Sequence, residues 1–158
     1  MQLHLLRHAD AGDPEAWEGP DAVRPLSEKG RKQSRRLGEH LASIGFSAAR
    51  YITSPKIRAL ETAEIVAGHV KGTVAIDDRL GGPLDTDTLE RILADAGNPE
   101  VAVIVGHDPD FSEMLSTLSG SQLEMKKGAI ARVDIDRPLQ AGGGTLRWLI
   151  PPDVLKSR

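Results

Sequence analysis

VAVIVGHDP, residues 101–109, is the stretch from which the rest of the chain can be read. Val101 to Val105 is continuously apolar and rich in β-branched residues, the pattern of a parallel strand covered on both faces rather than of a strand with one face in water. Gly106-His107 then leaves the strand. Asp108 is placed to cap a following helix, and Pro109 to occupy its first turn, where a missing amide proton costs little. Phe111, Met114, Leu115 and Leu118 supply that helix with an apolar face.

Upstream, the same alternation of strand and helix recurs. QLHLL predicts a strand over residues 2–6, followed by a polar loop with Gly12, Pro14, Gly19 and Pro20. A helix is predicted over Glu28–Ser43, with Ser27 as its cap, Gly45 at its end, and Leu37, Leu41 and Ile44 as one buried stripe. RYITSP gives a strand over Arg50–Thr53, stopped by Pro55. A helix from Lys56 to about Gly68 follows, with Ala59, Leu60, Ala63, Val66 and Ala67 on one face. Thr73–Ile76 gives a third strand, and Asp87 with Glu90 has capping-box spacing at the head of a short helix, LERILADAG. Downstream, IARVDI and TLRWLI flank the turn AGGG and read as neighbouring strands, and LKSR reads as a frayed tail.

This order implies an α/β class with a mostly parallel central sheet covered by helices. In such sheets ligands gather beyond the carboxyl ends of the strands. The first strand delivers Arg7-His8 there, the second delivers Thr53-Ser54 with Arg58 just inside the next helix, and VAVIV delivers Gly106-His107. If these strands are neighbours, two histidines and two arginines converge from positions spread over roughly one hundred residues.

At 158 residues the chain fits a single domain, residues 1–158. A formal charge of -3 gives no reason to expect nucleic-acid binding, and 3% aromatic residues leave no base-stacking platform. No cysteine is present, so disulfides, thiolate nucleophiles and cysteine metal sites are excluded. Apolar runs are too short to span a bilayer and no basic segment precedes a long apolar one, so a cytoplasmic location is expected.

Arg7 and Arg58 are suited to a phosphoryl group, because a guanidinium stays charged and pairs two donors with two oxygens. The helix N-terminus near Lys56 adds amide and dipole contacts. Turnover needs a nucleophile, and a neutral imidazole can take a phosphoryl group directly. His8, beside Arg7, is the better placed; His107 would then donate to the phosphoryl oxygens. The residues alone leave open which histidine attacks.

LLRHADAG resembles the Arg-His-Gly signature of the histidine phosphatase superfamily, with Ala9 in place of the usual glycine. VRPLSEKGRKQS, TSPKIRALETA and VGHDP resemble its later segments in the same order, and the short chain is most similar to small bacterial phosphohistidine phosphatases of the SixA type. The resemblance implies a phosphoglycerate mutase-like three-layer α/β/α sandwich, with His8 as nucleophile and Arg7, Arg58 and His107 completing the phosphate pocket. It makes Arg24 a pocket-edge candidate beside Ser54, and it implies no metal and no cofactor. The implied substrate is a phosphohistidine on a partner protein such as a phosphotransfer domain, without nucleic acid or membrane.

One departure from the family pattern bears on substrate. Many members place an acid after the third strand to protonate a leaving alcohol, whereas Leu80 is followed here by Gly81 and Gly82. Asp85, Asp78 and Asp10 are the nearby alternatives. A missing acid hinders release of an alkoxide more than release of an imidazole, which favours phosphohistidine over a sugar phosphate. The loop from Asp10 to Pro25 and the segment from Gly72 to Thr86 are short, leaving little material to enclose a metabolite. A small-molecule phosphomonoesterase and a noncatalytic phosphate- or phosphoprotein-binding module are the alternatives. His4 is expected in the core or an interface, His40 and His69 in solvent, and the run RKQSRR on a solvated helix face. His4 with His8 does not make a zinc motif on a strand, and Asp77-Asp78 lacks the glycine-rich loop expected beside Mg²⁺.

Overall fold

A computed structural model describes residues 1–156. Among them, six strands run Gln2–Arg7 (β1), Arg50–Thr53 (β2), Thr73–Ile76 (β3), Val101–Gly106 (β4), Ile130–Ile135 (β5) and Gly144–Ile150 (β6). Four α-helices run Glu28–Ser43 (α1), Ile57–Val70 (α2), Thr86–Asp95 (α3) and Asp110–Ser119 (α4). The strands form one sheet in the order β3-β2-β4-β1-β5-β6. The first four in that order are parallel, and β5 and β6 are added antiparallel at the β1 side.

Strand alternation sorts the core into two layers. Leu3 and Leu5 of β1 and Ala102 and Ile104 of β4 pack with Leu89, Ile92 and Leu93 of α3 and with Phe111, Met114, Leu115 and Leu118 of α4. On the opposite face Leu6, Val103, Val105 and Tyr51 meet Leu37 and Leu41 of α1 and Ala59, Ala63 and Val66 of α2. The continuous apolar run of β4 therefore feeds both faces, as a central parallel strand must. The result is the expected three-layer α/β/α sandwich of phosphoglycerate mutase-like form.

Several local expectations are corrected. Ile44 is exposed, because α1 ends at Ser43 and Ile44 turns outward ahead of Gly45, whose φ is +72°. The cap of α3 is Asp85, whose Oδ1 accepts from the Thr88 amide at 2.7 Å. Asp87 lies inside the first turn, and Glu90 instead accepts from Arg137 and from the Leu139 amide. Pro109 sits at the cap position of α4 rather than in its first turn, while Asp108 accepts from the Ser112 amide at 2.9 Å. Helix α2 runs two residues past Gly68. The segment LKSR is not all tail: Leu155 closes a 3-10 turn over Pro152–Leu155 and packs on the α1 side, and Ser157 and Arg158 lie outside the described residues. The loop after β1 carries two 3-10 turns, Pro14–Ala16 and Asp21–Val23.

Candidate active site

The sheet order places β2, β4 and β1 side by side, and their registers align the three exits. Arg7 stands opposite Gly106, and Thr53 opposite Val105. Beyond the paired residues the His8 amide donates to the Gly106 carbonyl and the Ser54 amide to the Val105 carbonyl, each at 3.0 Å. His8, Ser54 and His107 thus leave the sheet as one row. The two imidazoles lie with ring centroids 5.2 Å apart, inclined at 55°.

His8 is buried, and its Nδ1 is 2.7 Å from the Ala9 carbonyl. A carbonyl only accepts, so Nδ1 carries the hydrogen and Nε2 keeps its lone pair in the neutral ring. Burial pushes the imidazole pKa down to about 4; the Ala9 bond opposes this, and the charges of Arg58, Arg7 and Lys127 add to it. His107 is driven down to about 3 by burial, then by His8, Arg58 and Lys56, with Asp21 opposing. Both rings are therefore neutral near pH 7. The Nε2 of His107 meets the Ser54 hydroxyl at 2.7 Å, and its Nδ1 is buried without a partner.

The arginines are held by their outer nitrogens. Arg7 Nη1 donates to the Met125 carbonyl at 2.7 Å and lies 3.4 Å from Asp108. Arg58, in the first turn of α2, donates from Nη1 to the Asp21 carbonyl and from Nη2 to the Asp21 carboxylate, each at 2.9 Å. In both arginines Nε is buried and unpaired. Three polar atoms in one site, Arg7 Nε, Arg58 Nε and His107 Nδ1, thus lack a partner in a place where an unmet donor is expensive. An anion with several acceptor oxygens suits them.

Comparison with known proteins bears on this geometry. The description of the histidine phosphatase superfamily (branch 1) matches residues 3–81. An uncharacterized protein of Picosynechococcus sp. is 33% identical over 139 residues, 82% of this chain and 82% of its own. The chain belongs to the histidine phosphatase superfamily. Phosphohistidine phosphatase SixA of Escherichia coli K12 is 28% identical over 162 residues, covering 99% of this chain and 97% of that protein. The solved structure of the protein histidine phosphatase SixA complexed with tungstate matches with a TM-score of 0.83 at 25% identity, covering 99% of this chain and all of that one.

Against this histidine phosphatase framework the remaining candidates separate. Arg24 is buried rather than an ordinary surface pair; its Nη1 donates to the Ala11 carbonyl at 2.7 Å and its Nε pairs with Asp21 at 3.2 Å. Of the acids considered, Asp85 is committed to capping α3 and Asp78 is exposed in the 3-10 turn Asp78–Gly81. Asp10 accepts from Ser27 Oγ and the Gly12 amide and lies 3.7 Å from Lys127. Gly81 sits against Pro55 and near Ser54: a Cβ added there would lie 3.2 Å from the Pro55 ring and 3.8 Å from Ser54 Oγ.

Two residues of the site escaped the sequence reading. Asp21 links Arg24 to Arg58. Thr62 accepts from the Ala9 amide at 3.1 Å and donates to the Arg58 carbonyl at 2.7 Å, joining the loop after His8 to α2. Its place four residues after Arg58, on the same helix face, was the available signal. His4 is in the core, its Nδ1 3.2 Å from the Ala102 carbonyl and its ring against Phe46 and Trp148. His69 is exposed and His40 half-buried. Arg31 and Arg35 pair with Glu61 and Glu28, while Gln33 and Ser34 face inward. Asp77 is occupied by Arg79. Among the described residues no group of three or more His, Cys, Asp or Glu side chains is arranged to hold a metal ion, and no helix is long and apolar enough to cross a membrane.

Proposed function

We propose that the protein is a metal-independent phosphohistidine phosphatase in which His8 is the nucleophile. The observation that carries this reading is the bond from His8 Nδ1 to the Ala9 carbonyl, which leaves the Nε2 lone pair available beside His107 and the unpaired Nε atoms of Arg7 and Arg58. The likeness to phosphohistidine phosphatase SixA supports the same substrate class, and the likeness to a SixA complexed with tungstate, a tetrahedral oxyanion, supports a phosphoryl site.

In the first step His8 Nε2 attacks phosphorus. The P–N bond to the substrate imidazole breaks as the P–Nε2 bond forms, and the departing ring, protonated before or during departure, leaves as neutral histidine. Arg7, Arg58 and His107 meet the three equatorial oxygens, where preorganised donors lower the barrier without reorganising. Ser54 Oγ accepts from the Lys56 amide at 3.2 Å and meets His107 Nε2 at 2.7 Å; in this reading the hydroxyl donates to Nε2, so that the ring hydrogen sits on Nδ1 for the phosphoryl oxygens. In the second step water attacks phosphorus, the P–Nε2 bond breaks, inorganic phosphate leaves and His8 regains its lone pair.

An imidazole leaving group makes no demand for a strong acid, in keeping with the two glycines that follow Leu80. With no side chain on Gly81 or Gly82, this edge also leaves room for a histidine projecting from a folded partner, such as a phosphotransfer domain. The test is a comparison of turnover on a phosphohistidine protein and on sugar phosphates. Faster hydrolysis of the phosphohistidine protein is expected; the opposite preference favours a phosphomonoesterase, and phosphate affinity without turnover favours a binding module. Acid-quenched His8→Ala protein should carry no phosphoryl group. A phosphoenzyme accumulating in that variant would move the nucleophile elsewhere.

A further inference from the structure

Asp21 is the carboxylate paired with Arg58, yet no catalytic role follows from its position alone. It stands in the 3-10 turn Asp21–Val23 with its side chain half exposed. Its Oδ1 takes Arg24 Nε at 3.2 Å, its Oδ2 takes Arg58 Nη2 at 2.9 Å, and its own carbonyl takes Arg58 Nη1 at 2.9 Å. Both outer nitrogens of Arg58 are thereby turned toward this loop. Arg24 extends the chain to the Ala11 carbonyl, just past the nucleophile.

We propose that Asp21 is a positioning residue that fixes which edge of Arg58 faces the phosphoryl group and, through its charge, weakens the site's hold on product phosphate. This rests on the reading of the site as a phosphoryl-transfer centre. An unconstrained arginine meets a phosphoryl group with its paired nitrogens. Here one N–H of each terminal nitrogen is engaged by Asp21, which turns that end of the guanidinium toward the loop and leaves Nε as the buried atom without a partner. A carboxylate against the same guanidinium also offsets part of the positive charge that a dianionic product would feel. Asp21 does not act as the leaving-group acid: although burial alone would raise it, the bonds and charges of Arg58 and Arg24 hold it below the usual carboxylate range, so it stays ionised.

The two parts of the role predict opposite movements, which separates them from simple support of the loop. Asp21→Ala frees Arg58 and removes a charge. Turnover of a histidine peptide phosphorylated with phosphoramidate should fall in kcat by about tenfold or more. Inorganic phosphate, measured by calorimetry, should bind up to about tenfold more tightly, the scale expected when one charge near a dianion is removed in a largely solvated site. Asp21→Asn keeps an oxygen for Arg58 but not the charge. It should bind phosphate as tightly as the alanine variant while losing less of kcat, and its shape makes it the variant to rely on if Asp21→Ala does not fold. An unchanged kcat in both variants, or phosphate affinity that falls together with kcat, overturns the assignment. Wild-type protein that neither binds phosphate nor turns over removes the functional reading and this one with it. An active wild type with unresponsive variants removes only this one.

Discussion

His8 and His107 leave adjacent parallel strands and face each other with ring centroids 5.2 Å apart. Neither ring makes this arrangement by itself. Ala9 sets the hydrogen of one and Ser54 meets a nitrogen of the other, so each imidazole is held by a different strand's exit. The pair is thus a product of sheet register, and it responds to changes in the groups behind it.

Ser54→Ala tests that dependence. Loss of the hydroxyl leaves His107 Nε2 unpaired and frees the ring's tautomer. A fall of about ten- to one-hundredfold in kcat is expected, with His8 phosphorylation slowed in single-turnover measurements rather than abolished. An unaffected single-turnover rate would show that Ser54 does not set His107.

Arg58→Ala removes a guanidinium whose Nε is buried and unpaired in the site. Loss of one strong transition-state donor costs roughly 3–4 kcal/mol, a fall of about two to three orders of magnitude in kcat/KM. Inorganic phosphate should also bind more weakly, which calorimetry reads directly.

Gly30 reports on how the loop after His8 is seated. A Cβ built there would lie 1.9 Å from the Asp10 carbonyl, which also accepts the Ser27 amide at the head of α1. Gly30→Ala must push either the helix or the loop that follows His8. Overpacking of this kind destabilises by about 1–3 kcal/mol. Denaturant unfolding should show that loss together with a lower kcat, whereas Gly45→Ala, at a left-handed residue with open space around it, should lose stability without affecting kcat.

Acid should destabilise the fold before the carboxylates titrate. His4 and His8 are each lowered to about 4 and His107 to about 3, burial being the largest cause in each. Above the ordinary value near 6.5 both folded and unfolded chains hold these rings neutral. As pH falls below 6.5 the unfolded chain takes up protons that the folded chain refuses, so stability declines until the folded rings titrate near 4 and 3. A single ring shifted this far contributes on the order of 3 kcal/mol across that window. The paired acids Asp10, Asp77 and Asp134 are lowered, and their contribution is lost only as pH falls below the usual carboxylate value. Proton uptake on unfolding at pH 5 should approach one per ring, and His4→Phe, outside the site, should remove one proton from that uptake. Uptake unchanged by this variant would place the lowered pKa elsewhere.

The parts of the site that could be read from sequence are those attached to strands. Arg7-His8 and Gly106-His107 stand out because a polar pair follows an apolar run, and strand ends in a parallel sheet converge. Arg58 was visible from its place just inside a helix. Asp21 was not, because its loop has no periodicity and its partner lies on another element 37 positions away. Ile44 was misplaced for a related reason: periodicity continues past the point where the helix stops, and only the left-handed Gly45 marks the turn. The cap of α3 shows the same limit, since Asp85 and Asp87 both have cap chemistry and only the bond from the Thr88 amide to Asp85 tells them apart.

The position of β1 between β4 and β5 also governs when the protein can assemble. Both edges of the opening strand are completed by segments beyond residue 100, so its hydrogen bonds wait for the far half of the polypeptide. The first eighty residues, which carry His8, Arg24 and Arg58, cannot fold as a working half: their strand would present two bare edges and no second imidazole. On a ribosome, chemistry becomes possible only after β5 has emerged. Closure of so long a loop is slow, and until it happens the apolar N-terminal strand stays unpaired.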